Sequence, residues 1–118
     1  MAQHAALAAL NGPQETVEEM RLAFDARRKL MYSMVSALPG VVCIEPEGAF
    51  YVFPDFSSHL GDRWASTDEL ATAILEEAGV ALVPGESFGT PGFLRLSYAV
   101  GEDDIERGVE RIGALLAT

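Results

Sequence analysis

Cysteine is nearly absent from the 118-residue sequence, which holds only Cys43, in the apolar run VVCIE. No disulfide framework and no cysteine-based zinc site can therefore be built. Cys43 reads as a small core residue, because a nucleophilic thiol needs a neighbouring base and the only histidines, His4 and His59, lie at no spacing that supplies one. Basic residues are also scarce, 8 against 18 acidic, for a formal charge of −10. The resulting field repels polyanions, so nucleic acid is not an expected partner. No apolar run approaches the ~20 residues that span a bilayer, and MAQHAALAAL lacks the basic region of a secretory signal. Neither a membrane partner nor export is expected, and the expected location is cytoplasmic. Internal repeats, low-complexity tracts and long linkers are missing too.

What remains is a chain sized for one domain and one core. Its hydrophobic fraction of 49% and charged fraction of 22% are those of an ordinary globular domain. AQHAALAALNG predicts a short alanine-rich helix closed by Asn11-Gly12, with the glycine in the left-handed cap conformation. Pro13 then suits the start of a second helix from about Gln14 to Ala37. There Val17, Met20, Phe24, Met31, Val35 and Leu38 form one buried stripe, and Asp25 and Lys29 stand at i,i+4 to pair. Pro39-Gly40 ends it. VVCIE (Val41–Glu45) and GAFYVFPDF (Gly48–Phe56) predict two strands in a hairpin or bent pair.

Ser66-Thr67-Asp68-Glu69 has capping-box spacing and opens a helix that ends at Ala78-Gly79 and buries Leu70, Ile74 and Leu75. VALVP predicts a strand covered on both faces. FLRLSYA alternates, with Phe93, Arg95, Ser97 and Ala99 on one face and Leu94, Leu96 and Tyr98 on the other. Glu102, Asp103 and Asp104 open a last helix that presents Ile105, Val109, Ile112 and Leu116. The order predicts an α+β sandwich, helices packed against a small mixed sheet.

Gly85-Glu86-Ser87-Phe88-Gly89 fits the G-x-S-x-G pattern of a nucleophile elbow. That device needs a helix directly after the serine and a downstream acid and histidine, whereas Pro91-Gly92 and a strand follow, and both histidines lie upstream. Ser87 is therefore not expected to act as a nucleophile. The glycines match neither G-x-G-x-x-G nor Walker spacing, so a phosphate cradle fails as well, and a tight connection between strands is the expected role. Arg95 is the chemically interesting residue of this stretch. Its mid-strand position fits a structural ion pair on an open sheet face, or a fork aimed at a carboxylate ligand. Spacing leaves both readings open.

PEGAFYVFPDF, then GVALVPGESFGTPGFLRLSYA, with RRKLMYSMVSALPGV ahead of them, together resemble the C-terminal small domain of class I/II aminotransferases, pyridoxal-phosphate enzymes of the aspartate aminotransferase fold type. The likeness runs from AALAALNG to ERGVERI. It implies that Arg95 binds the substrate α-carboxylate and that Phe50 lies near the substrate pocket. It also implies an amino acid, aspartate or a similar one, and a 2-oxo acid as small-molecule substrates, pyridoxal 5'-phosphate as cofactor, and a homodimer in the full-length form. The family's imine-forming lysine belongs to the large domain, and the one lysine here, Lys29, does not match its motif. The expectation is thus a substrate-binding domain without its large partner domain, inactive alone, binding no cofactor or metal, and exposing apolar surface through the helix Ala2–Leu10, with self-association or a loosely held helix as the result. A free-standing module for a carboxylate or protein partner, and the small domain of a lyase or synthase relative, are the alternatives.

Overall fold

The computed structural model describes all 118 residues. Alanine-rich α1 (Ala2–Asn11) is followed by α2 (Glu15–Ser36), whose Glu15 and Glu18 sit at the positive end of its dipole. The turn between them differs from expectation. Gly12 is extended, with φ −81°, and not left-handed. Its N–H donates to the Ala8 carbonyl at 2.9 Å, and Gln14 Nε2 donates to the Ala9 and Gly12 carbonyls, so the helix end is satisfied without the special conformation.

The buried stripe of α2 is also shorter than its periodicity suggests. Met31 and Val35 are buried and Phe24 and Leu38 partly so, but Val17 and Met20 are 54% and 56% exposed. The sheet and the last helix cover only the second half of α2, and α1 buries no residue at all. The two helices project from the body and give extents of 56 × 26 × 24 Å. The radius of gyration is 17.0 Å, against about 13.5 Å for a compact chain of this length. No helix is long and apolar enough to cross a membrane.

Three strands form the sheet: β1 (Tyr51–Val52), β2 (Val83–Pro84) and β3 (Leu94–Ser97), in the order β1-β3-β2. Both pairings are antiparallel, so the sheet is not mixed. VVCIE forms no strand. A single bridge joins Val42 to Asp55, and Val42 and Ile44 stay 67% and 84% exposed because no further strand lies beside them. GAFYVFPDF is regular only at β1, since Pro54 has no N–H for the ladder, though its carbonyl still accepts from Leu94 at 3.1 Å. VALVP is an edge and not a doubly covered strand: Ala81 is exposed, Leu82 and Val83 are half-buried, and Pro84 suits an edge position.

The core forms where patterns from several elements coincide. Leu94, Leu96 and Tyr98 of the central strand region are buried as their alternation requires. They join Val52, Phe56, Leu70 and Ile74 with Ile105, Val109 and Ile112 of α4 (Glu102–Leu116). Each such side chain contributes roughly 1.5–3 kcal/mol through burial. Leu115 is buried where Leu116 was expected, and Leu116 is half-buried.

α3 (Thr67–Ala73) is capped by Ser66, whose Oγ accepts from Glu69 N–H at 3.2 Å. Glu69 reaches back one residue further than the usual box and accepts from Ala65 N–H at 2.8 Å. The helix widens into a π turn over Ile74–Ala78 and stops at left-handed Gly79, φ 68°. Leu75, expected inside, is 54% exposed, because it lies a further 100° or so round from the buried Leu70–Ile74 stripe. The architecture is the expected α+β sandwich, helices against a small sheet.

Candidate functional site

Pairing fixes which side chains share the outer sheet face. Tyr51 lies opposite Ser97 and Val52 opposite Leu96, which sets Phe53 opposite Arg95, while Val83 flanks Arg95 from the other side. With Val52, Leu94 and Leu96 turned inward, Tyr51, Phe53, Phe93 and Arg95 are left on the other face. The Arg95 guanidinium carbon lies 5.5 Å from the Tyr51 ring centroid and 4.9 Å from that of Phe88. Phe53 meets Phe88 edge-on at 5.9 Å and 89°, and stands 5.2 Å from Phe93. Arg95 is therefore a half-buried cation on an aromatic bed.

The structural ion pair, one of the two readings of Arg95, is not formed. Arg21, Arg28, Lys29, Arg63 and Arg107 each have a carboxylate partner, whereas Arg27, Arg95 and Arg111 have none, and of these three only Arg95 stands on the sheet. Aromatic rings offer the guanidinium no acceptor oxygen, so its N–H fork stays available for two-pronged recognition of a carboxylate.

The glycine loop sets Phe88. Gly85–Phe88 is one 3-10 turn, followed by left-handed Gly89 and Gly92, with φ 70° and 92°. Gly85 N–H donates to the Phe93 carbonyl at 2.7 Å, and its own carbonyl accepts from Thr90 at 2.9 Å. Ser87 is exposed in this turn, with β3 as the next regular element, so the helix that an elbow needs is not there.

A polar tether holds the loop to the start of α3. Glu86 Oε1 accepts from Thr67 N–H at 3.1 Å and from Thr67 Oγ1 at 2.7 Å, and Thr67 Oγ1 in turn accepts from Gly92 N–H at 2.7 Å. Thr67 is fully buried, and Glu86 Oε2 is buried without a hydrogen-bond partner. Burial pushes the Glu86 carboxyl up, but the Thr67 hydroxyl and the N–H groups of Glu86, Thr67 and Asp68 outweigh it and hold the group below the usual range. A lowered folded-state value means that the stabilisation is present above the unfolded pKa of about 4.3 and is lost as pH falls through the folded value. Glu86→Gln should destabilise the chain by about 1 kcal/mol at pH 7. Urea melts should show that difference starting to shrink as pH falls past about 4.3 and vanishing only below the lowered folded-state value; a constant difference would contradict the tether.

Phe50 is 49% exposed and meets Tyr51 edge-on at 5.6 Å and 84°, so it joins the cluster through Tyr51. Its carbonyl accepts from Tyr98 N–H at 2.8 Å. Tyr98 Oη lies 3.0 Å from both the Gly48 and the Ala49 carbonyl, which share its one hydroxyl proton, and burial raises its phenol above the ordinary value. Between those anchors Ala49 is left-handed, φ 63°, the one such residue that is not glycine. Ala49→Gly should relieve that strain and raise stability by about 0.5 kcal/mol, measurable by thermal melting. A loss of stability would show that the conformation is unstrained.

The other singled-out residues lie elsewhere. Lys29 is exposed and paired with Asp25 at 2.6 Å, as the spacing predicts. Cys43 is half-buried, and burial raises its thiol. His59 Nε2 lies 2.7 Å from the Pro39 carbonyl, and His4 is on exposed α1. No three His, Cys, Asp or Glu side chains are grouped to hold a metal ion. Sequence reasoning missed Tyr51, Phe53 and Phe88. The period of two in YVF could have placed the first two beside Arg95, but nothing local marks Phe88.

Residues 1–112 match the family described as aminotransferase class I and II. The chain is 55% identical over 117 residues to an aspartate aminotransferase of Streptomyces avermitilis, covering 95% of this chain and 29% of that protein. It superposes with a TM-score of 0.90 on the crystal structure of the aspartate aminotransferase from Rhizobium meliloti, at 38% identity, covering 98% of this chain and 30% of the other. An alanine aminotransferase from Pyrococcus furiosus also matches with a TM-score of 0.90, at 30% identity and with 98% and 29% covered. The chain thus spans about three-tenths of the length of the relatives it matches.

Proposed function

Since the chain belongs to the aminotransferase class I and II family, we propose that it is the C-terminal small domain that holds the substrate α-carboxylate. The observation that carries the reading is Arg95, a half-buried cation lying over the Tyr51 and Phe88 rings with no carboxylate of its own. Its fork binds the carboxylate of an amino acid, aspartate by the names of several relatives, or of the 2-oxo acid that accepts the amino group. Phe50, exposed beside Tyr51, adds an apolar ring at the edge of the aromatic bed under Arg95. Held in this way, the substrate presents its α-carbon in a fixed orientation, which is a positioning contribution.

Pyridoxal phosphate supplies the electron sink of such enzymes when bound. The residues here do not fit that group, since the only lysine, Lys29, is solvent-exposed and engaged by Asp25. The cofactor site therefore belongs to a large domain, in an enzyme acting as a cytoplasmic homodimer, and these residues alone do not transaminate.

The reading is tested by a chimera in which this chain replaces the matching segment of the Streptomyces avermitilis enzyme, 55% identical over 117 residues. Cofactor-dependent transfer from aspartate to a 2-oxo acid is expected, at a rate within about tenfold of the parent (1.4 kcal/mol). A folded chimera with bound cofactor and no transfer would count against the reading.

A further inference from the structure

The way Arg95 is held bears on which residues set substrate affinity. We propose that Phe88 and Tyr51 are positioning residues for carboxylate binding, holding the Arg95 guanidinium over their rings without occupying its N–H donors, which are left for the substrate; the inference rests on the carboxylate-binding reading of Arg95. The guanidinium carbon lies 4.9 Å from one centroid and 5.5 Å from the other. A carboxylate neighbour would also fix a long arginine side chain, but it would occupy the fork that the substrate needs. Aromatic faces restrict the side chain and leave the fork empty.

The two rings come from different parts of the chain. Tyr51 stands on β1, paired with β3. Phe88 ends the 3-10 turn that Glu86 and Thr67 tie to α3, and it is braced edge-on by Phe53. Phe88 is also 49% exposed. A ring so open adds little to the core, so its service to Arg95 can be separated from any service to stability.

The experiment compares Phe88→Leu, Phe88→Tyr, Tyr51→Leu and Arg95→Lys in the chimera. Phe88→Leu is expected to raise KM for aspartate about tenfold with kcat within about twofold, because the carboxylate is held alike in the ground and transition states. Phe88→Tyr should restore KM, and Tyr51→Leu should repeat the split. A purely structural role would lower the melting temperature and the active fraction and leave KM alone. If Arg95→Lys raises KM and neither leucine variant does, the positioning role is overturned and the carboxylate reading stands. If Arg95→Lys itself leaves KM unchanged, both are overturned. NMR of the 118-residue chain gives a second check. Arg95 side-chain resonances should show an upfield ring-current shift that Phe88→Leu reduces, and unshifted resonances would overturn the stacking.

Discussion

Arg95→Lys in the chimera should raise KM for aspartate about 100-fold while kcat changes less than about threefold. Lysine keeps the charge but replaces a planar fork with a point donor, so one of two parallel hydrogen bonds to the carboxylate is lost and the other is left poorly oriented. Losing a charge-assisted hydrogen bond costs about 1.5–3 kcal/mol, which corresponds to a factor of ten to somewhat over a hundred. The ammonium is also a poorer partner for stacking than the guanidinium, so the Tyr51 and Phe88 faces, 5.5 and 4.9 Å from the present guanidinium carbon, would hold it less well. The effect belongs in KM because the interaction is made before the reaction and persists through it. Steady-state kinetics at varied aspartate concentration measures it, and an unchanged KM would remove Arg95 from the substrate site.

Gly85→Ala should be the most damaging single change in the loop. A Cβ at that position would lie 2.0 Å from the Thr90 carbonyl oxygen and 2.8 Å from the Phe93 carbonyl oxygen. Both are backbone atoms held in the turn: the Phe93 carbonyl accepts from Gly85 N–H, and the Thr90 carbonyl accepts from Phe93 N–H. The clash can be relieved only by opening the turn, at a cost of about 3 kcal/mol or more. That is a fall of roughly 10 °C in melting temperature. The same opening would carry Phe88 away from Arg95, so the variant should lose the ring-current shift along with stability. Melting within about 2 °C of the parent would mean that the loop accommodates a side chain and does not set Phe88.

Arg95 shows how far pattern alone reaches. The alternation in FLRLSYA places Leu94, Leu96 and Tyr98 inside and Arg95 on the other face, and burial agrees. Periodicity is a property of neighbouring residues, so it survives without knowledge of the rest of the fold. The cap at Ser66 and the stop at Gly79 are legible for the same reason. What failed depends on distant partners. VVCIE has the composition of a strand, yet Val42 and Ile44 are exposed beyond a single bridge to Asp55, because a strand exists only where a neighbour supplies its hydrogen bonds. Val17 and Met20 continue a stripe that nothing here covers. Phe88 reaches Arg95 through a turn whose path is set by the close approach of Gly85 to Thr90 and Phe93, a contact with no signature at Phe88 itself.

Carboxylate binding turns on the Arg95 fork, and a crystal structure of the chimera with bound maleate, a dicarboxylate, observes it directly. Two guanidinium nitrogens of Arg95 should donate to one maleate carboxylate at about 2.7–2.9 Å, with the guanidinium remaining over the Tyr51 and Phe88 rings. Maleate bound with its carboxylates away from Arg95, or Arg95 turned out of the aromatic bed, would contradict it.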